Sequence, residues 1–334
     1  MKKNDTLAEI GAVLAAAQDI ALFPHVNMDG DAIGSCVALC LALKARGKNA
    51  FVLLDEAIPE NLRFLENGCC EWDLEKARDI EVAVTVDSGD LKRIGVRGEV
   101  FLTAKTKVCL DHHGSSTPYC DYNYIDPEEA ATGQIIYDLL MEMGEKGNAA
   151  IGEALYAAIV TDTGKFQYSN TQKKSHLIAA ALLDWGIDAN KVSVEIYESN
   201  RPERIRIESL AIGGMEVFLD GQLVIAKVTQ EMLRETGAGM EETDQIVSAL
   251  RTIRGVETSI LLKEYEPKVI KASCRSKHWF DVSKISQRFG GGGHVRAAGF
   301  TLYCTIDEAF ETVKEVVSRE MTKEQEGRAC GAES

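Results

Sequence analysis

The chain is poor in histidine, with six in 334 residues, and none of its nine cysteines falls into a CxxC pair. Cys36, Cys40, Cys69, Cys70, Cys109, Cys120, Cys274, Cys304 and Cys330 are odd in number and scattered, which disfavours both a disulfide framework and a structural zinc site. No apolar run approaches the roughly 18 uninterrupted residues that a membrane span requires. The N-terminal stretch MKKNDTLAEIGAVLAAAQD carries acids where an export signal would be purely apolar. A soluble, unexported protein of the reducing cytoplasm is expected. Basic residues are also scarce: 37 against 52 acids, a formal net charge of −15. That balance excludes coating of long nucleic acid, which needs a broad basic face. A polyanionic ligand must be held locally, by metal ions on the acids or by a confined basic patch.

What is present is ordinary for a globular protein, 45% apolar and 27% charged residues, and the length allows two domains. Through about residue 185, strand-like and helix-like segments alternate. DIALFPHV, KNAFVLL, EVAVTVD and KVCLD read as strands. AIGSCVALCLALKARG is helical, with Ile33, Val37, Leu41 and Lys44 at helical spacing and Gly47 as a stop. ATGQIIYDLLMEMG reads as a helix, and AIGEALYAAIVTD as a helix or a buried strand. The pattern predicts an α/β domain with a mostly parallel sheet flanked by helices.

Ligands of such sheets gather beyond the carboxyl ends of the strands. HVNMDGD brings His25, Asp29 and Asp31 there, TVDSGD brings Asp87, LDHHGS brings Asp111, His112 and His113, and VTDTGKF brings Asp162. Taken singly, an aspartate after a strand is most often a helix cap or turn former, and a lone histidine is usually a satisfied partner. Taken together, five carboxylates at one rim repel one another and resist desolvation unless cations neutralise them. Mixed carboxylate and imidazole donors suit Mn²⁺ or a similar first-row ion better than Ca²⁺, with Mg²⁺ and Zn²⁺ left open. So many donors fit two ions roughly 3.5–4 Å apart sharing one carboxylate better than one tetrahedral ion. Ser35, Ser88 and Ser115 are expected to be turn formers, since none sits in a nucleophile elbow.

HVNMDGDAIGS, VDSGD, DHHGS, AAIVTDTGKF and FGGGGHVRAAGF, in that order from about residue 18 to 320, resemble the motif set of the DHH/DHHA1 phosphoesterases. Within them the chain is most similar to small bacterial members that degrade nano-RNA and dephosphorylate adenosine 3′,5′-bisphosphate. Met28 stands where that family often has proline, a loop variation that leaves the spacing unchanged. The resemblance implies His25, Asp29, Asp31, Asp87, His112 and Asp162 as ligands of two Mn²⁺ ions (Mg²⁺ or another divalent ion possible), with Asp87 the bridge. Asp111 would orient a histidine through its ring N–H, and His113 would face the scissile phosphate. Water, activated by the metal pair, would attack phosphorus in line, with no covalent intermediate.

From about residue 210 the texture changes to α+β, with GQLVIAKVTQEML, VETSILLKEYE and VIKASCRSK as strands and MEETDQIVSALRTI, FDVSKISQRF and TIDEAFETVKEVVSREM as helices. The expected division is a catalytic domain over 1–186, a linker helix or hinge over 187–213, a smaller substrate-binding domain over 214–321 and a disordered tail over 322–334. Residues 270–300 hold Lys271, Arg275, Lys277, Lys284, Arg288 and Arg296 against Asp281 alone, a local charge of +5 in an acidic chain. The glycine run beside them could form an anion-binding nest of backbone N–H groups; a dinucleotide-binding reading is weak without a surrounding strand-turn-helix unit. Arg275, Ser276, Lys277, Gly291, Gly292, Gly293 and His294 are therefore expected to bind substrate, and the resemblance adds that Arg275 and His294 clamp it across an interdomain cleft. Trp279, Phe280 and Phe289 could stack on bases, although at least two of them fit a core.

Without an added oligonucleotide-binding domain, contact with roughly two to five nucleotides is easier to reconcile with the small patch than travel along a strand. The expected partners are short RNA oligonucleotides, adenosine 3′,5′-bisphosphate and pApA, with no long nucleic acid and no membrane; the oligomeric state is open. Competing readings are a phosphodiesterase for cyclic dinucleotides or pApA and, from a different class, an inactive nucleotide-binding sensor, against which the complete ligand set argues. A pyrophosphatase or exopolyphosphatase is disfavoured by the glycine-histidine motif.

Overall fold

The structure, a computed structural model, describes residues 4–332 and divides into two compact units, Met1–Ser199 and Asn200–Ser334. The first unit runs α1 (Leu7–Ala16), β1 (Asp19–Phe23), α2 (Gly30–Ala45), β2 (Asn49–Leu53), β3 (Cys70–Glu71), β4 (Val82–Val86), α3 (Gly98–Thr103), β5 (Thr106–Asp111), β6 (Tyr122–Ile125), α4 (Thr132–Glu142), α5 (Ala149–Asp162), α6 (Lys173–Asp184) and α7 (Ala189–Tyr197). Its six strands are all parallel, in the order β3-β2-β1-β4-β5-β6. The two-residue β3 and the strand β6 carry too little apolar pattern to be read from sequence.

Both faces of this sheet are covered, which is why its strands read as continuous apolar runs. In β1, Ile20 and Leu22 join α2, α4 and α5 in one core, while Ala21 and Phe23 join Val100 and Phe101 of α3 in another. The ambiguous run at 149–162 is helix: Asn148 accepts a hydrogen bond from Ile151 N, and an Ala- and Leu-rich segment favours the helical state. Gly34 lets α2 lie against α5, since a Cβ there would sit 2.5 Å from the carbonyl oxygen of Ala154.

The second unit runs α8 (Pro202–Gly213), β7 (Glu216–Phe218), β8 (Leu223–Val228), α9 (Gln230–Thr236), α10 (Ile246–Arg251), β9 (Thr258–Glu266), β10 (Val269–Ser276), α11 (Val282–Arg288), β11 (Gly292–His294), β12 (Ala297–Leu302) and α12 (Ile306–Ala332). Its sheet, β11-β12-β10-β9-β8-β7, is antiparallel except for the β8–β9 pair. This is the expected α+β texture. QEML, expected to continue a strand, instead opens α9, because Thr229 caps it by accepting from Met232 N.

Two segments take a definite form. Of the helix or hinge expected over 187–213, the structure has two helices flanking the boundary at 199/200: α7 packs into the first unit through Val192 and Ile196, and α8 into the second through Ile207 and Ala211. The expected disordered tail from 322 is helical through Ala332, continuing α12; Gln325 hydrogen-bonds Gln222 and the Arg328 guanidinium lies over the Trp279 ring. Residues 333 and 334 lie outside the described residues. The eight cysteines from Cys36 to Cys304 are free thiols, as their scatter predicted.

Candidate metal centre

The strand order puts β1 and β4 side by side while the chain leaves them toward opposite faces, α2 on one core and α3 on the other. Their carboxyl ends form the crevice where such sheets bind ligands. His25 follows β1 and Asp87 follows β4. Asp87 takes a φ of +58°, a left-handed conformation uncommon for a residue other than glycine and found chiefly where function over-determines the backbone.

Asp29 and Asp31 come from the start of α2. Asp29 is its cap, accepting from Asp31 N and Ala32 N at 3.1 and 3.0 Å, so the ordinary reading of this residue holds too. Asp31 is buried and receives the Thr132 and Gly133 amides of the α4 N-terminus at 2.7 and 2.8 Å, with the Ser35 hydroxyl at 3.0 Å. A helix N-terminus directed at a carboxylate stabilises its charge and fixes its orientation. Thr132 also donates its hydroxyl to Asp87 Oδ1 at 2.8 Å. Asp162, the last residue of α5, completes the set.

The donors fall into three overlapping groups: His25, Asp29 and Asp87; Asp87, His112 and His113; and Asp31, His112 and Asp162. On one side the His25 Nε2 lies 3.4 Å from Asp87 Oδ2 and 3.7 Å from Asp29 Oδ1. On the other, His112 Nε2 lies 3.6 Å from Asp87 Oδ1, 3.8 Å from Asp31 Oδ2 and 3.5 Å from Asp162 Oδ2. Within each group the ligand atoms lie within 4.8 Å of one another, close enough to share an ion. These separations are too long for hydrogen bonds, and near those of donors that share an ion at about 2.1 Å, roughly 3.0–3.4 Å apart.

Both imidazoles are oriented as metal ligands usually are, through the other ring nitrogen. His25 Nδ1 meets the Val26 carbonyl at 2.9 Å and His112 Nδ1 meets the Glu129 carbonyl at 3.0 Å, leaving each Nε2 toward the carboxylates. The His25 Nε2 is buried and has no hydrogen-bond partner among the described residues, an orphaned donor that a cation would satisfy. Chemistry and geometry therefore fit divalent ions.

The carboxylates and imidazoles shift one another's ionisation. Burial would lower His25, but the adjacent Asp29 and Asp87 carboxylates push it up to about 10. Burial likewise opposes the carboxylates around His112, which push it up to about 9. Burial would raise Asp87, yet His25, His112 and His113 hold it below the usual carboxylate range. Burial, then the neighbouring carboxylates, push Asp162 up to about 7 and Asp31 above its ordinary value.

The third imidazole borders the same carboxylate, its Nδ1 3.6 Å from Asp87 Oδ1. His113 Nδ1 is 2.8 Å from Asp111 Oδ1, and Asp111 also receives the Ser116 hydroxyl. Asp111 is thus paired with His113 and not with His112. Sequence reasoning missed Thr132, the α4 amides and Arg93, whose Nη1 lies 3.3 Å from His113 Nε2. The proximity of Arg93 to Asp87 in VDSGDLKR is the only sequence signal it offered.

In the second unit the sheet sets Arg275 of β10 and His294 of β11 opposite the same residue of β12, Ala297. Arg275 lies partly exposed on β10 with its Nη1 donating to the Cys274 carbonyl, and His294 is exposed on β11. Ser276 is buried, and the Lys277 ammonium donates to the Ile253 carbonyl at 2.8 Å, so both are engaged within the unit. The Gly291 N–H donates to Ser286 O, Gly292 and Gly293 are paired with β12, and a Cβ at Gly291 would lie 2.1 Å from the Gly299 carbonyl oxygen. Close backbone packing accounts for Gly291 and Gly293, while Gly292 is exposed on the edge strand. Phe280 is buried, Phe289 stacks on Phe300 and Trp279 packs edge-on to Phe280, so the three aromatics belong chiefly to the core.

An α/β crevice with overlapping carboxylate–imidazole groups could hold divalent metal, and the chain belongs to the DHH family. Residues 19–159 match the DHH family, N-terminal domain, and residues 220–322 match the DHHA1 domain. Similar proteins include the Thermus thermophilus "bifunctional oligoribonuclease and PAP phosphatase NrnA", 34% identical over 318 residues that cover 94% of each chain. The Bacillus subtilis protein of the same description is 27% identical over 307 residues, covering 90% of this chain and 94% of its own. The crystal structure of an exopolyphosphatase-related protein from Bacteroides fragilis aligns with a TM-score of 0.90 at 24% identity, covering 96% of this chain and 97% of that one, which shows a shared fold.

Proposed function

We propose that the protein is a metal-dependent phosphoesterase that hydrolyses RNA of about two to five nucleotides to mononucleotides and dephosphorylates adenosine 3′,5′-bisphosphate to AMP. The observation that carries this reading is the placement of Asp87 between two clusters, one oxygen 3.4 Å from His25 and the other 3.6 Å from His112. The names of the two NrnA relatives supply the substrate class.

His25, Asp29 and Asp87 would hold one ion, and Asp31, His112 and Asp162 with Asp87 the other; Mn²⁺ is the ion the donor set suits best. A bound pair supplies Lewis acidity that lowers the pKa of the attacking water and neutralises phosphate charge. The chain itself does the orienting. The Val26 and Glu129 carbonyls fix the two ligand imidazoles, and the α4 amides fix Asp31. Asp111 holds the Nδ1 side of His113, whose Nε2 edge, beside Arg93, would face the phosphate. Arg275 and His294 supply cationic and hydrogen-bonding groups for the rest of the nucleotide. Free thiols agree with a cytoplasmic setting, and no helix among the described residues is long and apolar enough to cross a membrane.

An Mn²⁺-supplemented assay comparing an RNA dinucleotide, a 24-nucleotide RNA, adenosine 3′,5′-bisphosphate, pApA and cyclic di-AMP at equal concentration tests the reading. Rapid loss of the dinucleotide and the bisphosphate, with the long RNA and cyclic compound spared, is expected. Preference for cyclic di-AMP would make the protein a signalling hydrolase, and silence on all five would make it a sensor.

A further inference from the structure

Arg93 stands where a cation has no structural task. Asp90 caps its turn, accepting from Lys92 N at 2.7 Å and Arg93 N at 3.2 Å. The Arg93 carbonyl accepts from Val26 N at 2.7 Å, tying it to the loop that carries His25 and Asp29. Gly95, at φ +59°, permits that approach, because a Cβ there would lie 2.9 Å from Val26 Cγ1. The backbone of Arg93 is therefore fixed between the loops that follow β1 and β4.

The guanidinium is not fixed by an ion pair. Its one hydrogen bond is to His113 Nε2, and among the described residues no carboxylate lies within ion-pairing distance. Arg97, one turn further on, makes the contrast: it is fully buried, 2.8 Å from Asp55 Oδ1 and bonded to the Leu53 carbonyl, a structural arginine. Yet Arg93 borders the most acidic part of the fold. The nearby carboxylates are otherwise engaged: Asp29 with the α2 amides, Asp31 with those of α4, Asp87 with His25 and Thr132, and Asp111 with His113 and Ser116. A partly exposed, permanently charged fork of five N–H donors, one of them engaged, suits an anion from outside, and its planar geometry matches two oxygens of a phosphate.

We propose that Arg93 is a catalytic residue that grips non-bridging oxygens of the same phosphate His113 faces. This rests on the phosphoesterase reading and deepens it, because it places a phosphate-binding cation within the first unit itself. Charge accumulates on those oxygens as the water attacks, so a preorganised guanidinium binds the transition state more tightly than the ground state.

The test uses the full-length protein loaded with Mn²⁺, titrated calorimetrically with inorganic phosphate and assayed on the RNA dinucleotide, with Arg93→Ala and Arg93→Lys. Arg93→Ala is expected to weaken phosphate binding at least about tenfold and lower kcat by about 10²–10³-fold, with Mn²⁺ affinity and thermal midpoint unchanged. Millimolar methylguanidinium is expected to restore part of the Ala variant's turnover, and Lys to fall between. Phosphate affinity within threefold of the parent would overturn the assignment. So would a joint loss of Mn²⁺ affinity and thermal stability with no rescue by Lys or methylguanidinium, which marks a structural residue. If phosphate binding falls as expected while even the parent protein turns over no ester, the functional reading and the catalytic role fail together, and Arg93 stands as a phosphate-binding residue alone.

Discussion

Loading the metal centre should release protons, because ions and protons compete for the same nitrogen atoms. In the metal-free protein His25 is held up to about 10 and His112 up to about 9 by the surrounding carboxylates, against an ordinary value of 6.5. Both pKa values are raised, so both rings are charged at pH 7.5. A cation binds only neutral imidazole. Loading there must expel about two protons, plus any that Asp31 or Asp162 holds. Each displaced proton makes affinity rise about tenfold per pH unit, so affinity should climb about 100-fold per unit below pH 9, and about tenfold per unit between 9 and 10. Asp162, pushed up to about 7, steepens the dependence below neutrality.

Titration of Mn²⁺ into stripped protein, in buffers of different ionisation enthalpy, gives the proton count directly from the slope of observed heat against buffer enthalpy. A slope near two is expected at pH 7.5, falling by about one in His112→Gln, which has no imidazole to carry the proton. Repeating the series from pH 7 to 8.5 checks the gain in affinity. A slope near zero, or affinity flat across that range, would refute the claim that carboxylates hold these imidazoles protonated in the empty site.

Asp87→Ala removes the carboxylate common to both clusters and should lower turnover of every substrate by about 10³-fold or more, with bound Mn²⁺ measured by elemental analysis falling below two per chain. Arg275→Ala should raise KM for the dinucleotide about tenfold while leaving kcat within a few-fold, read from steady-state kinetics. Gly34→Ala places a methyl group 2.5 Å from the Ala154 carbonyl oxygen and should destabilise by about 1–3 kcal/mol, seen as a drop of several degrees in thermal midpoint.

The strands that carry the centre were legible because burial on both faces leaves an apolar run ending abruptly in polar residues, as in IALF before His25 and VAVTV before Asp87. The donors were legible for the same reason, as the first polar groups past each run. What sequence does not reveal is how each donor is held. Asp111 adjoins His112 in the chain, yet its carboxylate pairs with His113, because orientation at a strand end is decided by the turn and not by adjacency. Asp31 is held by amides of Thr132 and Gly133, about a hundred residues downstream, a partnership no local pattern reports. The glycine run carries a second reason that sequence does not reveal: Gly291 lies against the Gly299 carbonyl and Gly293 against that of Ala297 on the neighbouring strand.

The left-handed turn at Asp87 links fold to chemistry. A strand continuing in extended conformation would carry this residue on past the rim. At φ +58° the chain instead breaks immediately after Val86, while the amide of Asp87 still donates to the Leu110 carbonyl at 2.9 Å. The carboxylate is thereby buried between the loops of β1 and β5, one oxygen for each cluster, and Thr132 fixes its rotation. Such backbone is of order 1–3 kcal/mol above an ordinary conformation, and the surrounding hydrogen bonds must hold it there. Glycine at 87 would relieve the backbone and remove the ligand, so the strain persists only because a carboxylate is needed at that point. Parallel strands thus bring the donors to one rim, and one strained residue joins them into a single centre.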